Sequence, residues 1–433
     1  MRECLTLLAA VSAISLLTAE PSVSADSVHV SRTASGAVKI SYTLTGEPAV
    51  ITIDIQTNTQ ANAAGSWVSM NGTALASLAG AVNRPVSVLG EESVAYWFPA
   101  KSMAGAAGDA LRVTVNAWPT TAPPDYMVAD LTHPDVRFYV STNALPGGLG
   151  NPAYRRDKLV MRKIPAKGVV WLMGSPNKLT DLDNATINNF AHKVRLTSDY
   201  YAGVFELTQG QLEALGCANN SKFAAEANHE ALPAERLGWR SIYAMMDVLR
   251  VRSGIVDMDL PTEAQWEYAC HAGCGGELHN GLPWTESNLK KIAWFKANAS
   301  KTKPVGLLAP NAFGLYDMLG NVWEFTKDAM GINSGGNYYL ESYQSSLASD
   351  WAAGGITDDP PGATNESGRK MKRGGSWYEG REDEGGVHRS NFRSDASTYW
   401  DEGPGGNVGY IGCRVFCSAD GAVAGANGCP QAQ

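Results

Sequence analysis

From Gly281 onward, for more than a hundred residues, the chain carries no sustained helical or strand period. Glycine, asparagine, tryptophan and proline dominate, interrupted by short strand-like pieces such as Gly409-Tyr-Ile-Gly-Cys-Arg-Val-Phe416. So long a stretch without regular periodicity is foreign to helical bundles and to repetitive α/β sheets. It implies a large domain with few helices and much irregular backbone, held by aromatic packing and local clamps such as disulfides or cations. Composition agrees where it bears on this point. The 433 residues include 45 Gly and 12 Trp, nine of those Trp beyond residue 150, while only 18% are charged. That leaves too little Glu and Lys for coiled coils or long single helices.

The first part of the chain obeys a different rule. From Val28 to about Leu131 apolar residues alternate in period two. Val38–Tyr42, Val50–Ile55, Val86–Val88, Val94–Phe98 and Leu111–Val115 read as strands, separated by Asn, Gly, Ala and Pro clusters. About a hundred residues of short strands predict an all-β sandwich of immunoglobulin or fibronectin type over 26–131. Ala122-Pro-Pro-Asp-Tyr126 closes it, and 132–157, with Leu145-Pro-Gly-Gly-Leu-Gly150, reads as a linker. Beyond it, Thr208-x-x-Gln211 and Thr262-x-x-Gln265 have capping-box spacing, opening helices over Gln209–Gly216 and Glu263–Ala272. A third helix, about Trp239–Arg252, buries Ile242, Met245, Met246 and Leu249.

Arg2, the apolar run Leu5–Leu17 and the small residues of Val23-Ser24-Ala25 describe a secretory signal peptide over 1–25. The expectation is a mature chain starting near Asp26, secreted or held in the periplasm or cell envelope. No second apolar run reaches the ~20 residues of a membrane span. Six cysteines then remain: Cys217, Cys270, Cys274, Cys413, Cys417 and Cys429. An oxidising compartment favours disulfides among them, with free buried thiols as the other reading. Cys270-His271-x-x-Cys274 has no second pair at zinc-site spacing. Net charge is −8 with no long Lys/Arg run, so nucleic acid is not an expected partner.

Four phrases occur in order: Leu260-Pro-Thr-Glu-Ala-Gln-Trp-Glu-Tyr-Ala269, Asn311-Ala-Phe-Gly-Leu-Tyr-Asp-Met-Leu-Gly-Asn-Val-Trp-Glu-Phe325, Arg373-Gly-Gly-Ser-Trp377, and Arg389-Ser390 running on to Gly412-Cys-Arg414. With Trp171–Ser175, Val204–Gln211 and Lys303–Gly306, they closely resemble the formylglycine-generating enzyme (sulfatase-modifying factor) family over about 158–417. The resemblance implies a variant C-type-lectin-like fold, rich in irregular loops. The fold class expected is therefore α+β: a β-sandwich at 26–131, the formylglycine-generating-enzyme-like domain at 158–417, and a C-terminal tail at 418–433.

The family's calcium turn, carried over, implies a structural Ca²⁺ held by the carbonyls of Leu319, Gly320 and Val322 and the carboxylate of Glu324. Hard oxygen donors around a glycine turn suit that ion. At the catalytic position the resemblance fails. The family's copper cysteines lie three residues after the Ser of Gly-Gly-Ser and five residues further on. Here Ser376 is followed at that spacing by Glu379, and Gly380–His388 contains no cysteine. Soft copper(I) wants thiolates, so copper is not an expected cofactor.

Besides residual formylglycine generation, three uses follow, one being a stabilising scaffold for a cell-envelope assembly with the β-sandwich as adhesive partner. As a binding module, Trp377, Tyr378, Glu379, Arg381, Glu382, His388, Arg389, Arg393, Tyr399 and Trp400 offer aromatic and charged groups to a glycan or protein. The same fold in the variable proteins of diversity-generating retroelements places its variable residues in this stretch. As an enzyme of other chemistry, similar to the pyoverdine-maturation oxidoreductase, the domain would rely on Glu379 or Glu382 as a base, with Ser376 beside it. A deep pocket at Glu379 favours the enzyme, and an open face favours binding.

Overall fold

The computed structural model describes residues 19–58, 67–99, 111–174, 192–276, 278–332, 338–339, 355–360, 369–379, 393–397 and 409–428. Among the described residues the N-terminal unit holds nine strands: β1 Ser22–Val23, β2 His29–Arg32, β3 Val38–Thr45, β4 Ala49–Asn58, β5 Trp67–Ser69, β6 Leu78–Gly80, β7 Arg84–Val86, β8 Glu92–Trp97 and β9 Leu111–Pro119. One sheet runs β1-β3-β8-β6 with β2 also on β3; the other runs β5-β4-β7 with β9 also on β4. Val38, Ile40, Tyr42 and Leu44 of β3 face Ile51, Ile53 and Ile55 of β4 in one core. Period-two alternation made these strands, because each strand turns every second side chain to the same face. The residues just before the expected cleavage point, Ser22 and Val23, pair with Thr45 and Leu44 as β1.

The second unit begins earlier than the sequence suggests. Strands β10 Tyr126–Asp130 and β11 Val136–Tyr139 do not close the first unit or act as linker. They form the edge of a sheet ordered β11-β10-β12-β15-β24, with β12 Lys158–Ile164, β15 Tyr200–Gly203 and β24 Phe416–Ser418. The reason is burial: Met127, Ala129, Val136 and Phe138 enter the large core of the second unit with Leu159, Met161 and Tyr201. Alternation marks a strand but does not name its partner sheet. Of the expected linker only the turns around Leu145–Asn151 and helix α1, Ala153–Arg156, remain outside strands or their short connections.

Both expected capping boxes are present. In α2, Gln209–Ala214, Thr208 Oγ1 accepts from the Gln211 amide while Gln211 Oε1 accepts from the Thr208 amide. Thr262 and Gln265 do the same for α4, Glu263–His271. Between them, α3 (Trp239–Ser253) buries Ile242, Met245, Met246 and Leu249. A short α5 follows at Glu286–Leu289. The remaining strands are brief: β13 Val170–Met173, β14 His192–Arg195, β16 Ala293–Trp294, β17 Leu319–Gly320, β18 Trp323–Ile332, β19 Tyr338–Tyr339, β20 Ile356–Asp358, β21 Arg369–Arg373, β22 Arg393–Ser397 and β23 Ile411–Gly412. Among them β13-β14-β20, β16-β17 and β19-β18-β21-β22 make separate sheets, with β23 joining β18 in parallel.

Residues 419–428 of the expected tail are a helix. In α6, Ala419–Gly428, Ala419, Ala422, Val423 and Ala426 are buried in the second core. Its small residues, which read as a tail, allow close approach: a Cβ on Gly425 would lie 2.6 Å from Ile255 Cγ1, and one on Gly421 would lie 2.4 Å from the Asp257 carboxylate. The disulfide expectation also changes. Cys217, Cys270, Cys274, Cys413 and Cys417 form no disulfide among the described residues, and three of them are buried, while Cys429 lies outside the described residues. Burial raises the Cys413 and Cys417 thiols far above their ordinary value, so they behave as small apolar core groups.

Candidate functional site

Strand β18 sorts the chemistry by alternation. Trp323 and Phe325 face one side; Glu324 faces the other. On the Trp323 side, Trp323 Nε1 donates to Glu379 Oε1 at 2.8 Å, and the Ser376 hydroxyl donates to Glu379 Oε2. Ser376 is fully buried, Glu379 half-buried. The Glu379 carbonyl accepts from the Lys296 amide at 3.0 Å. Lys372, opposite Phe325 on β21, places Nζ 4.4 Å from the Trp323 ring centroid and 5.8 Å from that of Tyr410.

The Gly374-Gly375 turn makes this possible. Both glycines have positive φ, 95° and 76°, and a Cβ on Gly374 would meet the Met318 carbonyl at 3.0 Å. The turn throws Trp377 inward and Tyr378 outward. Trp377 is buried, its Nε1 donating to the Gly409 carbonyl at 2.7 Å and its amide to the Asn321 carbonyl at 2.9 Å. Tyr378 is 56% exposed and stacks on Tyr410, centroids 5.5 Å apart and planes within 19°. Phe223 meets Trp377 edge-on, and Lys222 lies 5.8 Å from the Trp377 centroid. The result is an aromatic face with two lysines along it and a carboxylate set behind. Such a face offers stacking and cation–π contacts to a ligand.

Beneath Gly409 lies Glu235, fully buried, with Oε1 accepting from the Phe223 amide at 3.3 Å and Oε2 without a partner among the described residues. Burial raises its carboxyl to about 7, against the pull of the Phe223 and Lys222 amides.

On the Glu324 side the groups are fully buried. Glu324 accepts from Trp266 Nε1 at 2.6 Å and from Arg414, Nη2 at 2.7 Å and Nε at 3.0 Å. Arg414 also donates to the carbonyls of Gly203 and Tyr316. Burial works against the Arg414 charge, yet Glu324 and then Glu206 and Asp317 hold it above its ordinary value. Glu206 accepts from the Val322 amide at 3.0 Å and from Asn321 Nδ2 at 2.6 Å. Burial, with Asp317 and Glu324 nearby, raises Glu206 far above the carboxylate range. Asp317, at φ 54°, takes the Gly306 amide on Oδ2 at 2.7 Å and leaves Oδ1 unpartnered among the described residues. Burial lifts its carboxyl to about 6.

This geometry bears on the calcium expectation. Leu319 and Gly320 form β17, and Val322 follows the Asn321 turn, as the resemblance implies. Glu324 does not fit the ligand role: both of its oxygens are engaged by Arg414 and Trp266. The unmet oxygen at this turn belongs to Asp317. Further along, Arg373 donates to Glu263 Oε1 and Glu267 Oε2, both at 2.8 Å. Burial pushes Glu267 up, but Arg373 and His271 outweigh it and leave Glu267 at about 2.

Of the residues expected in the site, Ser376, Trp377, Tyr378 and Glu379 are brought together. Arg381, Glu382, His388, Arg389, Tyr399 and Trp400 lie outside the described residues, and Arg393 is placed by its backbone in β22 alone. The sequence reading missed Lys372, Tyr410, Glu235 and Glu206. Glu206 had a signal: it is a lone acid in the apolar run Val204-Phe-Glu-Leu207.

Comparison with known proteins settles the family. The model of the sulfatase-modifying factor enzyme 1-like domain matches residues 159–418. The chain belongs to that family. The mouse formylglycine-generating enzyme is 36% identical over 83 residues, 16% of this chain and 22% of the enzyme. A bovine relative described as inactive Cα-formylglycine-generating enzyme 2 is 35% identical over 79 residues, 16% of this chain and 25% of that protein. The chain thus spans about a quarter or less of these relatives' length. Among solved structures, Treponema denticola variable protein 1 is 24% identical at a TM-score of 0.44, covering 60% of this chain and 95% of that one. The sulfatase-modifying-factor-like domain of this chain contains the whole Trp323–Glu379 site.

Proposed function

We propose that this sulfatase-modifying-factor-like domain is a binding module that has lost copper-dependent formylglycine generation, taking a glycan or protein partner through residues 377–401. The observation that carries the reading is Glu379. It stands where the resemblance calls for a copper thiolate, and no cysteine occurs from Gly275 to Gly412. Its carboxylate is engaged by Trp323 and Ser376, so it is a support for the aromatic face and not an open base. The exposed Tyr378–Tyr410 stack provides the contact surface. We further propose export of the chain, an immunoglobulin or fibronectin type for the N-terminal unit, and a calcium ion stiffening the Leu319–Val322 turn with Asp317 in place of Glu324.

The decisive experiment supplies the purified chain with copper(I), O₂ and a Cys-x-Pro-x-Arg peptide. The expected result is unchanged peptide by mass spectrometry; conversion of the cysteine to formylglycine overturns the proposal. The second reading, a copper-independent oxidoreductase using Glu379, predicts that Glu379→Gln abolishes a turnover that the unmodified chain displays. The binding reading predicts that Tyr378→Ala weakens partner capture while Glu379→Gln disturbs it only through the Trp323 contact.

A further inference from the structure

The two units enclose a cleft of about 710 Å³ that the aromatic face does not reach. One wall is the outer face of the β4–β9 pair. Alternation puts Ile51, Ile53, Ile55, Val113, Val115 and Ala117 into the first core. The opposite face of the same strands carries Val50, Thr52 and Asp54 beside Trp118, Asn116 and Thr114. Val50 packs into the second unit's core, Trp118 packs against it and borders the cleft, and Thr52, Asp54 and Asn116 line the cleft. The facing wall is β11, whose Val136 and Phe138 are core while Arg137 and Tyr139 line the cleft.

The walls are fixed against each other. The Phe138 amide donates to the Asn83 carbonyl at 2.8 Å, Arg137 Nη1 to the Val82 carbonyl at 3.1 Å, and the Gly72 amide to the Asn143 carbonyl at 2.6 Å. Trp118 Nε1 is tied to Thr52 Oγ1 at 2.9 Å, which fixes the indole. Within this frame, several polar atoms make no hydrogen bond to any described residue: Asp54 Oδ1, the side-chain amides of Asn83 and Asn116, Arg137 Nη2 and the Tyr139 hydroxyl. Both bonds that Asp54 accepts, from Gln56 and Ser69, fall on Oδ2.

We infer that this cleft is a binding site for a neutral saccharide. Its volume lies within the range of small-ligand sites, roughly 300–1,000 Å³, and junctions between domains are a common place for them. The open groups mix acceptors (Asp54) with donors (Arg137) and groups that do both (Asn83, Asn116, Tyr139), which matches a ring of hydroxyls. Arg137 is already neutralised by Asp135 at 2.9 Å, leaving Asp54 as the uncompensated charge, so phosphates and uronic acids are disfavoured. Trp118 and Tyr139 supply aromatic surface among these groups, and the fixed walls spare the ordering cost of binding.

The test uses the intact chain on an array of neutral and anionic glycans, followed by calorimetric titration with the neutral oligosaccharide captured most strongly and with putrescine. Saturable binding of a neutral saccharide is expected, weakened about tenfold or more by Asp54→Ala and by Asn116→Ala. Melting temperatures of both variants check that they fold. Tyr378→Ala should leave this affinity unchanged, which separates the cleft from the aromatic face. Failure to capture any neutral glycan, binding that survives Asp54→Ala/Asn116→Ala, loss of binding in Tyr378→Ala, or preference for putrescine would each overturn the assignment.

Discussion

Replacing Glu235 by Gln tests how the protein carries a buried carboxyl with one oxygen unmet beneath its aromatic face. Burial raises this group from 4.5 to about 7. In the unfolded chain it ionises near 4.5, while in the folded protein it keeps its proton until about pH 7. Between these values the folded state binds one more proton, so stability falls as pH rises, by about 1.36 kcal/mol per pH unit. Its favourable contribution is complete below pH 4.5 and lost as pH climbs through 7. Over the whole span this amounts to roughly 3 kcal/mol. Glutamine resembles the protonated acid and does not titrate. Urea denaturation of both proteins from pH 4 to pH 8 isolates the effect, because other titrating groups cancel in the difference. Relative to the unmodified chain, the variant should gain roughly 3 kcal/mol between pH 4 and pH 8. A difference that stays constant across that range would refute the claim that burial, outweighing the Phe223 and Lys222 amides and the nearby Arg236 and Lys222 charges, sets this carboxyl.

The other predictions concern packing, charge and metal. Arg414→Met should cost about 3–5 kcal/mol, measured by denaturation, because the buried Glu324 loses its cation. Gly425→Ala should destabilise by about 1–3 kcal/mol, since the new methyl meets Ile255 and the Gly254 carbonyl where α6 packs against them. Chelation of calcium should lower the melting temperature, and Asp317→Asn should remove that dependence; an unchanged melt in the unmodified chain would discard the ion. N-terminal sequencing of exported protein should find a start before Ser22, because cleavage at Asp26 would strip β1 from β3.

Local rules were legible in the sequence, and distant ones were not. Thr208 with Gln211 and Thr262 with Gln265 act over three residues, and both capping boxes form as read. Ser376 and Glu379 are also three apart, and their bond follows from the turn they share. Trp323 on β18 and Glu379 in the turn after β21 meet from 56 residues apart, and no spacing announces that. The same limit misplaced β10 and β11: Tyr126–Asp130 looks like any other alternating strand, and only pairing with Lys158–Arg162 assigns it to the second unit. α6 escaped notice because its apolar face is built from Ala and Val, small enough to resemble a tail. The lone acids Glu206 and Glu235 were visible as residues, but their roles depend on neighbours brought from remote segments.

The sheet order β11-β10-β12-β15-β24 has a consequence for how the protein is made. Strand β15 sits between a neighbour synthesised shortly before it and one from the far end of the chain, where Tyr200 pairs with Ser418. One edge of β15 therefore stays uncovered while more than half of the second unit is still being produced. Sequence-distant pairings of this kind slow folding and prolong exposure of an unfinished sheet. The arrival of β24, not the first collapse, completes the sheet. A chain delivered through a membrane N-terminus first would cross with that edge still open, and would need protection until Phe416–Ser418 arrives.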